Sequence, residues 1–218
     1  DLTVARSNEL VMASSTRGVI AGGDVRSNPA GTDAPVNTVD YITMASAGNA
    51  VDFGDANDAV RNASCGSSPT RGIMNGPQRG APSTSSSNTI EYITISTLGN
   101  FADFGDTTTA DASASGIISN AVRAVRFTSS YAPNTDDVID FVTIATLGNA
   151  LDFGDLNHIS MNGASGCASP TRAIAGGGFD GGIAEEMDYV QIMSTGNAKD
   201  FGNLAEARSQ PGACSNGH

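Results

Sequence analysis

Hydrophobic residues in this chain come in short runs and do not recur at helical spacing. In the first fifty residues the runs are Asn8–Ala13, Arg17–Gly23, Val39–Ala45 and Ala50–Gly54. Short runs rich in β-branched and aromatic residues, divided by Gly, Ser, Asn and Pro, are typical of β-strands. No stretch has the length and 3.6-residue period of an amphipathic helix. The pattern predicts four strands in this stretch, which we name a, b, c and d.

The same pattern of runs occurs four times along the chain. Each copy closes on Asp-Phe-Gly, and the phenylalanines are 51, 49 and 48 residues apart. Such regularity indicates an array of one repeat, with units at 1–54, 55–105, 106–154 and 155–202 and a partial unit at 203–218. We interpret the recurring motif as structural; its residues are Asp52, Phe53, Gly54, Asp55, Asp103, Phe104, Gly105, Asp106, Asp152, Phe153, Gly154, Asp155, Asp200, Phe201 and Gly202.

Strand c predicts how the units pack. It is apolar on both faces apart from one acidic residue, as Val39, Tyr41, Ile42 and Met44 around Asp40 illustrate. A strand with two apolar faces needs a cover on both sides. Four-stranded antiparallel sheets stacked between like sheets meet that need, which predicts an all-β single domain, a β-propeller. A β-solenoid is the alternative, although its coils usually repeat at a shorter period.

Two phrases of the repeat resemble a known family. Residues 2–23 are similar to the first half of a kelch repeat, where an Arg-bearing lead-in precedes a strand that ends in a glycine pair. The phrase VDYITMASAGNAVDFGD resembles the second half, with Phe53 where kelch repeats usually have Trp. The third copy departs, with Arg126 and Phe127 where glycines are expected and Asp111 near the position of Arg6. The resemblance implies a kelch-like propeller.

The DYIT…GNA…DFGD phrases, together with SSPTRG at 67–72 and the closing ACSNGH at 213–218, also resemble repeat proteins of marine tailed phages, especially those that infect cyanobacteria. That resemblance implies a virion structural or tail-associated protein.

The number of blades stays open at this point. Four complete units are followed by a partial unit that repeats the start of a blade through strand a. The extra strand could be appended to a four-bladed ring, or it could share a fifth blade with residues outside this sequence. Because Asp1 aligns with Asp55 inside the motif, the chain could be a piece of a longer protein.

Charge and cysteine usage narrow the possible partners. The formal net charge of −12 argues against nucleic acid and anionic membranes, and no apolar run is long enough for membrane insertion. Cys65, Cys167 and Cys214 stand where other copies have Val, Met or Ile, so we expect small buried apolar residues and neither a disulfide framework nor a metal site.

The repeated charges form two columns. Arg17, Arg71, Arg123 and Arg172 make up one, and Asp40, Glu91, Asp140 and Asp188 the other. The strand order puts the two columns at opposite edges of a blade, whereas Arg6, Arg61 and Arg208 share the acidic edge. We expect buried or half-buried ion pairs between blades; Ca²⁺ held by the motif carboxylates is the alternative.

The connections between strands b and c differ most between copies, so we place candidate binding residues there. They are Arg26, Asp33, Arg79, Tyr131, Asp136, Asp137, Phe179 and Asp180. No catalytic constellation stands out, and His158 occupies a lead-in where other copies have Thr, Asp or Glu. We therefore expect a non-catalytic module without metal or cofactor. Its expected partners are virion or appendage subunits, or a cell-surface glycan or protein, with self-association also allowed. The alternative is a secreted glycan-active enzyme or lectin.

Overall fold

The computed structural model describes residues 1–27, 32–75, 78–79, 87–111, 116–128, 137–157, 163–179 and 182–215, which form β-strands and no helix. The strands, in chain order, are β1 (Leu10–Ala13), β2 (Arg17–Ala21), β3 (Asp24–Ser27), β4 (Thr32–Thr43), β5 (Val51–Arg61), β6 (Ser64–Ser67), β7 (Arg71–Asn75), β8 (Gln78–Arg79), β9 (Ser87–Thr94), β10 (Ala102–Asp111), β11 (Gly116–Ser119), β12 (Arg123–Phe127), β13 (Val138–Thr143), β14 (Leu151–Asp155), β15 (Ser165–Ala168), β16 (Arg172–Gly176), β17 (Glu186–Gln191) and β18 (Lys199–Asn203).

Each repeat forms one antiparallel sheet whose strands follow in the order a, b, c, d. The orders are β1-β2-β4-β5, β6-β7-β9-β10, β11-β12-β13-β14 and β15-β16-β17-β18. The first sheet also carries β3, which pairs with β4, and β8, which pairs with the end of β5. The predicted all-β fold of four-stranded antiparallel sheets is confirmed.

The hydrophobic core lies between consecutive sheets. Val19, Val39 and Phe53 of the first sheet pack in one cluster with Ile93 and Ile95 of the second. The other two clusters join the second sheet to the third and the third to the fourth in the same way. We call the sheet face that carries the motif phenylalanine the front face, and the opposite face the rear face. Front-to-rear stacking, with the a strands in contact in chain order, is the arrangement of β-propeller blades.

The Asp-Phe-Gly motif forms a β-bulge in every blade. In the first blade Val39 pairs with Gly54 and Asp40 pairs with Asp52, so Phe53 is the extra residue between two ladder pairs. The same register shift occurs at the phenylalanine of the other three blades. A bulge breaks the alternation of side chains along the strand. Phe53 consequently lies on the front face, 3 % exposed, against the next blade.

Hydrogen bonds join this bulge to the next blade, at the Gly-Asn turn between its strands c and d. Gly99 N–H donates to the carbonyl of Phe53 (3.0 Å), and the N–H of Asp55 donates to Oδ1 of Asn100 (3.0 Å). Gly54 adopts φ +148°, and a Cβ there would lie 2.5 Å from the Gly99 carbonyl oxygen. Only glycine fits this approach, which accounts for the Gly of the motif. The later junctions repeat these bonds.

The first and fourth blades each have one solvent-exposed face, so these two blades do not pack against each other to close a ring. On the rear face of the first blade Ile42 and Met44 are 38 % and 57 % exposed, whereas their equivalents Ile93 and Ile95 are 2 % and 1 % exposed. On the front face of the fourth blade Phe201 is 46 % exposed.

Residues 204–215 follow the fourth blade without forming a strand. The sequence predicts a further strand a here. The segment nevertheless bonds to the fourth blade: Gly178 N–H donates to the Arg208 carbonyl (2.7 Å), and Gln210 N–H donates to the Gly163 carbonyl (2.9 Å).

The motif phenylalanines provide a matched test of where stability resides. Phe104→Ala empties a site that is 3 % exposed, and we expect a loss of about 3–5 kcal/mol in the free energy of unfolding. Phe201→Ala changes the same motif at the open face, and we expect a loss of about 1 kcal/mol. Urea denaturation followed by circular dichroism measures both. Equal losses would contradict a core that lies between blades.

Candidate functional site

The acidic column binds the segment that precedes strand a of each blade, which we call the lead-in of that blade. Asp40 accepts hydrogen bonds from the main-chain N–H (3.2 Å) and the hydroxyl (2.6 Å) of Thr3. The equivalent acids accept from the N–H groups of Asn57, Thr108 and Asn157 at 3.3, 2.9 and 3.3 Å. These carboxylates are buried and stabilise the blade itself, so they are poor candidates for a binding site.

In the first and third blades an arginine neutralises the acid, and it does so from two different positions. Arg6 in the lead-in lies 3.0 Å from Asp40, and both side chains are fully buried. In the third blade Asp111 occupies the position of Arg6, and Arg126 on β12 binds Asp140 instead (Nε to Oδ1, 2.9 Å). The third repeat therefore differs from the first in the position of the arginine that binds the acid, which lies on β12 and not in the lead-in.

The other predicted cations have different partners. Arg61 lies 3.4 Å from Asp24, which joins the second lead-in to the first blade. Arg208 lies 3.8 Å from Glu206, and both side chains are exposed. Arg6 therefore meets the acidic column as expected, whereas the ion pairs described for Arg61 and Arg208 are with Asp24 and Glu206.

The arginine column joins blades through carbonyl groups and aromatic rings. The Arg17 guanidinium stacks on Tyr41, 4.8 Å from the ring centre, and Nη1 donates to the carbonyl of Ile95 in the next blade (3.0 Å). Tyr41 in turn meets Phe53 edge to face at 5.9 Å. Arg71 and Arg123 repeat this arrangement. The expectation of ion pairs is wrong for this column, because Arg17, Arg71 and Arg123 donate to main-chain carbonyls and not to carboxylates.

The connections between strands b and c emerge on one side of the stack, which we call the b–c side. In the first blade this connection extends the sheet as a hairpin in which Arg26 pairs with Asp33. Arg79 pairs with Val60, so its strand β8 lies on the other edge of β5. The backbone thus brings these three candidates into one sheet. Tyr131, Asp136 and Asp180 lie outside the described residues.

Two candidates on the b–c side have described side chains. Asp137 is exposed, and its carbonyl accepts from Leu156 N–H (2.6 Å). Phe179 is 46 % exposed and forms an isolated bridge with Ile183, itself 58 % exposed. Sequence reasoning missed Ile183, although an aliphatic residue in an acidic, glycine-rich connection was a usable signal.

A cavity of about 200 Å³ lies where the a strands meet. Val11, Cys65, Ile117, Cys167 and Cys214 are among its lining residues. The three cysteines are free thiols; Cys65 and Cys167 are half-buried and Cys214 is exposed. Burial raises the pKa of the Cys65 thiol to about 11, and a hydrogen bond with the backbone of Val11 offsets part of that rise.

Within the described ranges no group of three His, Cys, Asp or Glu side chains could hold a metal ion. That result covers the described motif carboxylates considered for Ca²⁺; His158 lies outside those ranges. The same part of the chain contains no helix long and apolar enough to cross a membrane.

Comparisons with known proteins agree with the geometry at the level of fold. Four-stranded antiparallel sheets stacked front to rear fit a β-propeller. The solved structure of YjhT matches 97 % of this chain and 75 % of its own length, with a TM-score of 0.74 and 11 % sequence identity. At that identity the likeness shows the fold alone. No family model matches the chain, and no curated protein matches it.

Cys65 should respond to pH differently from a free cysteine. With a pKa of about 11, Cys65 is almost entirely protonated at pH 8, and only the thiolate reacts. Raising the pH from 8 to 10 should accelerate iodoacetamide labelling of Cys65 about a hundredfold, against about fourfold for the cysteine of a short unstructured reference peptide. Peptide mass spectrometry measures both rates. A matching pH dependence would refute the raised pKa.

Arg126→Met should destabilise the third blade. It leaves the Asp140 carboxylate buried without this cation, which costs about 3–5 kcal/mol. The double variant Arg126→Met/Asp140→Asn should recover part of that loss because the charge is removed. Arg208→Met, at an exposed pair, serves as the control and should change stability by less than about 1 kcal/mol. Urea titrations of the four proteins test this; an unaffected Arg126→Met variant would contradict it.

Proposed function

We propose that this protein is a non-catalytic binding and assembly module that presents the b–c side of its propeller to a partner. The observation that carries the proposal is that the repeated polar residues hold the blades together, whereas the variable connections expose side chains to solvent. The acidic column, the arginine column and the asparagines of the Gly-Asn turns recur in each repeat, and their side chains are engaged in contacts within and between blades. The variable b–c connections carry the exposed pair Phe179 and Ile183. Exposed apolar side chains on a rigid scaffold suit protein or glycan binding.

The setting we propose is a phage virion or tail appendage, or more generally an extracellular location. It rests on the resemblance of the repeat phrases to repeat proteins of marine tailed phages. The partners would be other virion or appendage subunits, or a host cell-surface glycan or protein. The net charge of −12 disfavours nucleic acid as a partner.

The second candidate is a secreted glycan-active enzyme or lectin that uses the same side. The exposed ring of Phe179 favours it to the extent that aromatic rings also pack against sugars.

A glycan array probed with the labelled chain, together with immunogold labelling of purified phage particles, tests the proposal. We expect gold on the tail region, or glycan binding that falls at least about tenfold in Phe179→Ala, which corresponds to about 1.4 kcal/mol. Val122→Ala is the matched control, because Val122 is also 46 % exposed but lies in an a–b turn on the opposite side. Turnover of a bound glycan would favour the enzyme, and absence of both label and binding would overturn the proposal.

A further inference from the structure

The front face of the fourth blade lacks the neighbour that every other front face has. We call this surface the end face; it comprises Ile174, Tyr189, Phe201 and Gly202, with Arg172 at its rim. Phe201 is 46 % exposed, whereas its equivalents in the first three blades are 3 %, 3 % and 2 % exposed. Tyr189 and Phe201 are nevertheless already in the edge-to-face arrangement of the inner junctions, 5.9 Å apart.

The backbone of the end face is also prepared for a junction. A Cβ on Gly54, Gly105 or Gly154 would meet the glycine of the following turn at 2.5, 2.5 or 2.6 Å. Gly202 has the same left-handed backbone, φ +118°, yet nothing lies within 4 Å of its Cβ position. The space that a Gly-Asn turn fills at each inner junction is therefore open.

Arg172 is oriented as its equivalents are. It stacks on Tyr189 at 5.0 Å, as Arg17 and Arg71 stack on their own tyrosines at 4.8 Å. Those two arginines are half-buried because they reach a carbonyl of the next blade. Arg172 is exposed, so a following blade would supply the acceptor that its guanidinium is placed to reach.

Residues 204–215 already occupy the place of a fifth lead-in. Gly178 N–H bonds to the Arg208 carbonyl (2.7 Å) as Gly23 N–H bonds to the Val60 carbonyl (2.9 Å). Gln210 adopts φ +52°, matching φ +49° at Asn62 in the second lead-in. Ala213–Ser215 then line the cavity beside the four a strands. The start of a fifth blade is thus in position, next to an uncovered face.

We propose that the end face binds a three-stranded antiparallel sheet of this same repeat type, here called the partner, which completes a fifth blade on residues 204–215. The partner's chemistry follows from the inner junctions. It carries two aliphatic residues on its middle strand, at the positions of Ile93 and Ile95, and a Gly-Asn turn that donates to the Phe201 carbonyl. The inference concerns a different surface from the b–c side, so it goes beyond the proposed function.

A second copy of the chain fits this surface less well. Its first blade has an exposed rear face with Ile42 and Met44, but it also brings its own lead-in. Asp1 already bonds to Ala50 (2.8 Å), and Arg6 is buried against Asp40. That lead-in would occupy the same space as residues 204–208. A sheet without a lead-in of its own has no such conflict.

The experiment uses a labelled polypeptide of residues 71–105, which contains β7, β9 and the first four residues of β10, as the probe for the full chain. We expect saturable one-to-one binding by fluorescence anisotropy. Phe201→Asp should weaken it at least about tenfold, and a probe with Ile93→Asp and Ile95→Asp should not bind. Val122→Asp, at a site of equal exposure, should bind as the unchanged chain does. Phe179→Ala should also bind normally, which separates this inference from the proposed function.

A second measurement covers the case in which the free probe aggregates. The same residues are joined after His218, and hydrogen exchange is followed at the amides of residues 201–203. Protection that appears in this fusion and is lost with Phe201→Asp supports the proposal. Binding or protection that is absent, or that Phe201→Asp does not alter, overturns it. Concentration-dependent dimers of the unmodified chain that Phe201→Asp abolishes also overturn it, because a second copy would then fill the end face.

Discussion

The fold depends on one contact, made wherever a blade has a following neighbour. The motif phenylalanine of one blade packs against the aliphatic strand c of the next, while its carbonyl and that of the next aspartate bind the following turn. A single blade is too thin to bury its apolar faces, so this junction supplies most of the core. The stack is consequently stabilised pair by pair, as repeat proteins generally are.

Sequence reasoning predicted the parts of the fold that repetition makes visible. The four runs of each unit became strands β1, β2, β4 and β5 and their equivalents, because β-branched runs between turn residues leave little choice of structure. The stacking of the sheets was predicted from strand c, which is apolar on both faces. The sequence shows a glycine at this position of the motif in every repeat. It does not show why glycine is required there, because the contact that excludes a side chain comes from a turn in the next unit.

Contacts between units and within variable connections could not be predicted in the same way. Arg126 looked like a defect of the third repeat because its partner Asp140 lies on a neighbouring strand, and pairing register decides that they meet. The arginine column was misread because carbonyl acceptors leave no signature in a sequence. Ile183 stood out as an aliphatic residue in its connection, but its pairing with Phe179 could not be predicted because the b–c connections share no pattern.

Because the same contacts recur at every junction between blades, the gene for such a protein can change in a particular way. A genetic crossover between any two copies at the same phase would add or remove a whole blade while leaving each remaining junction chemically equivalent. Blade number is then free to change by unequal recombination, because each added or removed junction makes the same contacts. The third repeat, with its cation moved from the lead-in to Arg126, shows that individual units can also diverge without losing their place in the stack.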